Sequence, residues 1–304
     1  MNDVLGYQGK QVVITGGASG MGAAAAQLLV DAGADVHALD ISDVTVPVKK
    51  AIKTDMKDHA SVDAAIAQLP GEIYALFNCA GVPHPPFSAM DTVMINWVGA
   101  RYLTDALIPR VGKGGGIASI ASTAGMGWKS NLDLVKDFLA VTGFAESKAW
   151  LEAHPDLNVD PYGFSKQCMV VYTMMQAGEL AKREVRINCI SPSPTATAFM
   201  DQLTKEFDRD ALKVFCPSNG RFADPAEMGE PLVLLNSKLA SFVSGVNLPV
   251  DFGYCAEVCW ASNRERSRCV LRSYALKRSA AGGSPAVPRV WLESVRRYRQ
   301  MIFR

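Results

Sequence analysis

The chain has 304 residues, 49% hydrophobic and 20% charged, the range of a globular protein with a large buried core. No apolar run approaches the ~20 residues of a membrane span, and residues 1–10 lack the apolar core and basic flank of an export signal, so a cytoplasmic protein without a membrane partner is expected. The net charge of +1 divides unevenly: residues 259–304 carry eleven Lys+Arg against two Asp+Glu, which leaves the first 258 residues at −8, an acidic body unsuited to nucleic acid.

In chain order the pattern predicts a strand over 11–15, a helix over 20–32, strands over 35–40 and 51–55, a helix over 59–69 and a strand over 73–78. A helix over 95–110, a strand over 116–121, a helix over 161–182, a strand over 186–191, a helix over 225–237 and a strand over 247–251 follow. Short β-branched runs alternating with longer helical periods imply parallel strands joined by crossover helices. The expected architecture is therefore one α/β domain over 1–258, a Rossmann-type doubly wound sheet of seven parallel strands. The arginine-rich segment 259–304 does not continue that rhythm and is expected to be a disordered tail; nucleic-acid or membrane affinity would call for a regular apolar face or interleaved aromatics that it lacks. Seven cysteines are scattered without CxxC or Cys/His spacing, so reduced thiols and no metal site are expected.

The first strand runs directly into Thr15-Gly16-Gly17-Ala18-Ser19-Gly20-Met21-Gly22, after which a helix opens. In that position Gly16 permits a turn that a side chain would obstruct, Gly20 lets backbone N–H groups approach a pyrophosphate, and Gly22 allows close packing of helix on strand. Ser19 and Met21 belong to the same candidate cofactor loop. Asp40 closes the second strand eighteen residues after Gly22, where a carboxylate accepts from a ribose diol and repels a 2′-phosphate. Neither Ser19 nor Ile41 supplies the positive charge that NADP would require, so NAD is the expected cofactor.

Tyr162 and Lys166 stand at i and i+4, on one helix face. A phenol titrates near ~10, too high for efficient proton transfer at neutral pH, and a neighbouring ammonium is expected to lower it.

The glycine loop, Asn78-Cys79-Ala80-Gly81 closing the fourth strand, Ser122 after the fifth and Tyr162-x-x-x-Lys166 together resemble the short-chain dehydrogenase/reductase family, over residues 8 to about 256. The resemblance implies that Ser122 hydrogen-bonds the substrate oxygen, Tyr162 exchanges its proton, Lys166 holds the nicotinamide ribose, and Asn96 supports a proton-relay water. It also implies that Asp55, Met56 and Asn78 lie near the adenosine and central sheet, with Ala80 and Gly81 beside them. Pro192, Thr195 and Thr197 would approach the nicotinamide, Thr197 at its carboxamide. Ser193 departs from the glycine usual there, which bears on the geometry of that turn.

Ser122 and Tyr162 are forty residues apart, more than is usual in this family, so a segment of about 130–158 loops out before the catalytic helix. Leu132, Val135, Phe138 and Leu139, then Phe144, Ala149, Trp150 and Leu151, recur at helical spacing and predict two short amphipathic helices that cap the site, most of these residues docking on the body. Within the family this insert, with the compact linker from Gly81 to Asn96, resembles bacterial coniferyl-alcohol dehydrogenases and 3α-hydroxysteroid dehydrogenase/carbonyl reductases. His84, in Val82-Pro83-His84-Pro85-Pro86, reads as part of a rigid solvent loop and receives no role.

The expected activity is NAD-linked hydride transfer to and from a small hydrophobic alcohol or ketone, by a homo-oligomer. Met126, Trp128, Phe199, Met200, Leu203, Phe207 and Phe215 are expected at the mouth and favour a bulky aromatic or alicyclic substrate, since burying a ring there contributes about 2 kcal/mol and a carboxylate would find no arginine. The alternatives are an epimerase or dehydratase on the same fold, and a nucleotide-binding regulator without turnover.

Overall fold

The computed structural model describes residues 3–206, 212–216 and 219–260; Phe207 and residues 261–304 lie outside that set. Seven strands, β1 (Gln11–Thr15), β2 (Asp35–Asp40), β3 (Lys50–Lys53), β4 (Ile73–Asn78), β5 (Val111–Ile120), β6 (Arg186–Pro192) and β7 (Asn247–Val250), form one parallel sheet in the order β3-β2-β1-β4-β5-β6-β7. In sequence order the helices are α1 (Gly20–Asp31), α2 (His59–Ile66), α3 (Ala89–Val93), α4 (Ala100–Leu107), α5 (Leu132–Ala140), α6 (Phe144–Glu152), α7 (Pro161–Ala181), α8 (Ala198–Glu206), α9 (Pro225–Asn236) and α10 (Tyr254–Trp260). No helix among the described residues is long and apolar enough to cross a membrane.

Successive strand residues point to opposite faces, so each apolar strand feeds two cores. Val13, Leu39, Leu76 and Ile117 enter one, with Trp97, Leu103, Phe138, Phe164 and Val170. Their neighbours Val12, Ala38, Phe77 and Ala118 enter the other, with Tyr7, Leu29 and Leu232. The register that pairs Val12 with Val36 on β2 and Ile14 with Phe77 on β4 keeps this alternation aligned across the sheet.

Several element ends differ from expectation for identifiable reasons. The helix expected from 95 starts at Ala89, because the Ser88 hydroxyl caps it by accepting the Asp91 N–H at 3.0 Å. It then passes through a π turn, Met94–Gly99, before α4. α2 ends at Ile66, followed by a tight turn before Pro70, which disfavours helix in the residue preceding it. β5 begins at Val111, five residues early, through a glycine-rich stretch that resembles a loop in composition. The insert forms the two expected helices, α5 and α6, and then a short 3-10 turn, Pro155–Val159. α10 carries the described chain to Trp260, two residues past the expected boundary.

Candidate active site

β1 lies between β2 and β4, so crossovers leave it in opposite directions and open a crevice beyond the carboxyl ends of the strands. A cleft of about 1170 Å³ occupies this place. Gly16, with φ +71°, turns the chain out of β1, and a Cβ there would come within 2.6 Å of the Ala80 nitrogen. A Cβ on Gly22 would strike the Gly16 carbonyl, so both positions need glycine for α1 to start this close to β4. Ser19 N-caps α1 without a side-chain bond of its own, and no acidic residue stands in the first turn. Open N–H groups at the positive end of a helix, in a cradle that side chains would fill, suit a pyrophosphate.

Asp40 closes β2 at the rim of this cradle. Its Oδ2 accepts the Ala18 N–H at 2.9 Å and its Oδ1 the Ser42 N–H at 2.8 Å. A carboxylate has about four acceptor positions, so it can fasten the glycine loop and still receive a diol. Lys166 is the only Lys or Arg among the described residues lining the cleft, which leaves a 2′-phosphate beside Asp40 without a cation. The residues therefore fit NAD(H).

Gly20, Met21, Ile41, Asp55, Met56, Ala80, Gly81, Pro192, Thr195 and Thr197 also line the cleft. Asn78 and Asn96, both expected at the site, are placed behind it. Asn78 is buried, its Nδ2 donating to Thr104 Oγ1 at 2.9 Å and Ser119 Oγ at 3.2 Å, so it ties β4 to α4 and β5. Asn96, in the π turn, is fully buried; its Oδ1 accepts the Val82 N–H at 2.7 Å and its Nδ2 donates to the Val82 carbonyl at 2.9 Å. With its amide committed to both polar groups of one residue, Asn96 positions the loop after β4.

Ser122, Tyr162 and Lys166 meet in the middle of the cleft. Ser122 follows β5 and its Oγ accepts the Ala124 N–H at 3.1 Å, capping the 3-10 segment Thr123–Asn131. Tyr162 stands in the first turn of α7, its ring 5.6 Å from that of Phe199. Lys166, one turn on, is 4% exposed; its Nζ donates to the Ile120 carbonyl at 2.9 Å and lies 5.6 Å from the centre of the Tyr162 ring. Burial pushes the Tyr162 phenol up to about 12, opposed by its hydrogen bond with Ser122 and reinforced by the charge of Asp160. Burial pulls Lys166 down to about 8, against the nearby thiols of Cys79 and Cys189. The expected lowering of the phenol by Lys166 does not emerge; burial dominates and holds the phenol above its ordinary value.

Beyond Tyr162 the wall turns apolar, with Phe87, Leu134, Leu157, Phe199, Leu203 and Phe215. Met126 and Trp128 are not part of it, contrary to expectation: the Met126 sulfur accepts from Asn247 Nδ2 and Trp128 packs on the core. Most of the insert docks as expected, with Val135, Phe138, Phe144 and Leu151 buried, while Leu134, residues 153–157, Val159 and Asp160 form the rim. Sequence reasoning missed His84 and Asp160, which both line the cleft. Asp160 could have been found: an Asp before Pro161 at a helix start is an N-cap signal, and its Oδ1 accepts the Gly163 N–H at 2.8 Å.

A doubly wound sheet with a glycine cradle, a ribose-level carboxylate and a Ser-Tyr-Lys cluster in one cleft defines a nucleotide-linked oxidoreductase. A family model described as short chain dehydrogenase matches residues 10–132, and one described as enoyl-(acyl carrier protein) reductase matches 146–255. The coniferyl-alcohol dehydrogenase of Pseudomonas sp. (strain HR199 / DSM 7063) is 31% identical over 245 residues, covering 80% of this chain and 96% of that protein. The 3-alpha-hydroxysteroid dehydrogenase/carbonyl reductase of Comamonas testosteroni is 28% identical over 246 residues, covering 80% and 95%. Among solved structures, the 3-alpha-hydroxysteroid dehydrogenase of Pseudomonas sp. B-0831 complexed with NADH superposes with a TM-score of 0.69 at 26% identity, over 81% of this chain and 97% of that one. The chain belongs to the short-chain dehydrogenase/reductase family.

Proposed function

We propose that this oxidoreductase uses NAD to oxidise a bulky aromatic or alicyclic alcohol, and in reverse reduces the corresponding carbonyl. The observation that carries the reading is the continuity of the cleft, from the glycine cradle and Asp40, past Ser122, Tyr162 and Lys166, into the apolar wall of Phe87, Leu157 and Phe199. NAD, when bound, supplies the hydride acceptor. The chain's own work is to hold the carbinol oxygen between the Ser122 hydroxyl and the Tyr162 phenol, to exchange its proton at the phenol oxygen, and to set Lys166 behind that oxygen as a donor. Gly16, Ser19, Gly20, Met21 and Gly22 would receive the pyrophosphate, Asp40 the adenosine ribose, and Pro192, Thr195 and Thr197 the nicotinamide side. The relatives named above act on an aromatic alcohol and on hydroxysteroids by their names, which supports the substrate class. The reading extends to a cytoplasmic homo-oligomer; exposed Leu234, Leu239, Phe242 and Phe252 offer apolar surface for association. The test follows absorbance of the reduced nicotinamide with NAD against a panel of alcohols. Cinnamyl-type alcohols or a 3-hydroxysteroid should exceed short polar alcohols in kcat/KM at least tenfold, and a clear preference for the short polar ones rejects the substrate class.

A further inference from the structure

His84 is half-buried on the wall of the same cleft as Tyr162, and not part of a solvent loop. Pro83 and Pro85 flank it, and each ring restricts the backbone on its side. Its Nδ1 lies 2.9 Å from the Phe87 carbonyl oxygen. A carbonyl only accepts, so Nδ1 carries the proton of the neutral ring and Nε2 remains an acceptor. Among the described residues Nε2 has no hydrogen-bond partner. Asp160 lines the cleft as well, its carboxyl anchored by the Gly163 N–H two residues from the start of the Tyr162 turn. Asn131 in this region is committed, its Nδ2 donating to Gln167 at 3.0 Å, and the His154 ring is stacked on Trp150 at 3.7 Å between centres.

We propose that His84 is a specificity-determining subsite that receives a second hydroxyl of the substrate, on the ring and remote from the carbinol that reacts. The proposal rests on the aromatic-alcohol reading above and narrows it to ring-hydroxylated aromatic alcohols. A fixed, unpaired acceptor in an apolar wall discriminates because an analogue without the donor buries it unsatisfied. The same wall admits the unsubstituted ring and offers no compensating bond.

The experiment measures kcat/KM with NAD for cinnamyl alcohol, its ring-hydroxylated analogues and the matching ring methyl ethers, which accept but cannot donate. The wild-type protein should favour the best hydroxylated analogue over both others by about tenfold or more. In His84→Phe that ratio should fall to within about twofold of unity; being internal to one preparation, it is unaffected by any loss of folded protein. Ratios near unity in the wild type, or a preference that survives the substitution, overturn the subsite while leaving the aromatic-alcohol reading intact. The methyl-ether comparison needs no variant. Absence of turnover on all the aromatic alcohols refutes the underlying reading, and the subsite falls with it.

Discussion

The carboxylate of Asp40 already accepts two backbone N–H groups, from Ala18 and Ser42, so it shapes the glycine loop as well as facing the cleft. Asp40→Ala should weaken NAD at least tenfold by removing an acceptor and loosening the loop, and should erase discrimination against NADP by removing the like charge. Titration of both cofactors checks this; an NAD-over-NADP preference that survives the substitution contradicts it. Lys166 gives a pH-dependent prediction. Unfolded, it keeps its proton to the ordinary 10.5; folded, burial releases it near 8. The folded state therefore carries the full cost of the buried cation below pH 8 and sheds it as pH rises toward 10.5. Lys166→Met should abolish turnover yet raise Tm at pH 7, stability gaining on the order of 3 kcal/mol less about 1 kcal/mol for the donor lost to the Ile120 carbonyl, with the gain gone before pH reaches 10.5. A Tm lowered at pH 7 would show that the Ile120 bond outweighs the desolvation.

The insert is held by stacked rings at its junction with α7. Trp150 packs on Phe138 at 4.5 Å, His154 at 3.7 Å and Phe164 at 6.2 Å between ring centres, which joins α6, α5, the rim and the helix that carries Tyr162. Because the ring is only partly buried, Trp150→Ala should cost about 2–3 kcal/mol, below the range for a fully buried tryptophan. It should also raise KM for a bulky alcohol while NAD affinity stays within twofold, as denaturant midpoints and steady-state kinetics would show. An unchanged midpoint contradicts this packing role. At this scale the strands were the most legible elements: β1 and β4 carry continuous apolar runs, β2 one broken only by His37, and the ends of all three match expectation residue for residue. The helix start at Ala89 was readable too, since Ser88 and Asp91 form the spacing of an N-cap, but the apolar period begins later and dominates the pattern. The π turn and the burial of Asn78 and Asn96 were not readable, because their causes are partners such as Thr104, Ser119 and Val82, brought in by the fold. His84 was misread for the same reason: three prolines signal rigidity and say nothing about which way the loop faces.

Across the whole molecule, both cores draw their described residues from the segment between Leu5 and Val250, and β7 completes the sheet. Every element that shapes the cleft precedes the basic tail. Deleting residues 261–304 should therefore leave a single cooperative unfolding transition and unchanged kcat/KM; loss of cooperative unfolding would place part of the fold in that segment. The fold and the Ser-Tyr-Lys cluster were legible because they rest on local motifs in fixed order, whereas the substrate wall is assembled from the insert, α8 and the loop after β4. Met126 and Trp128 show the limit, being near Ser122 in sequence and away from the cleft in space. The central claim is that Tyr162 exchanges the proton in an NAD-linked alcohol oxidation. The most direct measurement is production of reduced nicotinamide from NAD and a bulky aromatic alcohol by the wild type and Tyr162→Phe, with NAD affinity titrated on both. The predicted result is a fall in turnover of at least about a hundredfold with NAD binding within a few-fold of wild type, and a variant that retains a near-wild-type rate would contradict it.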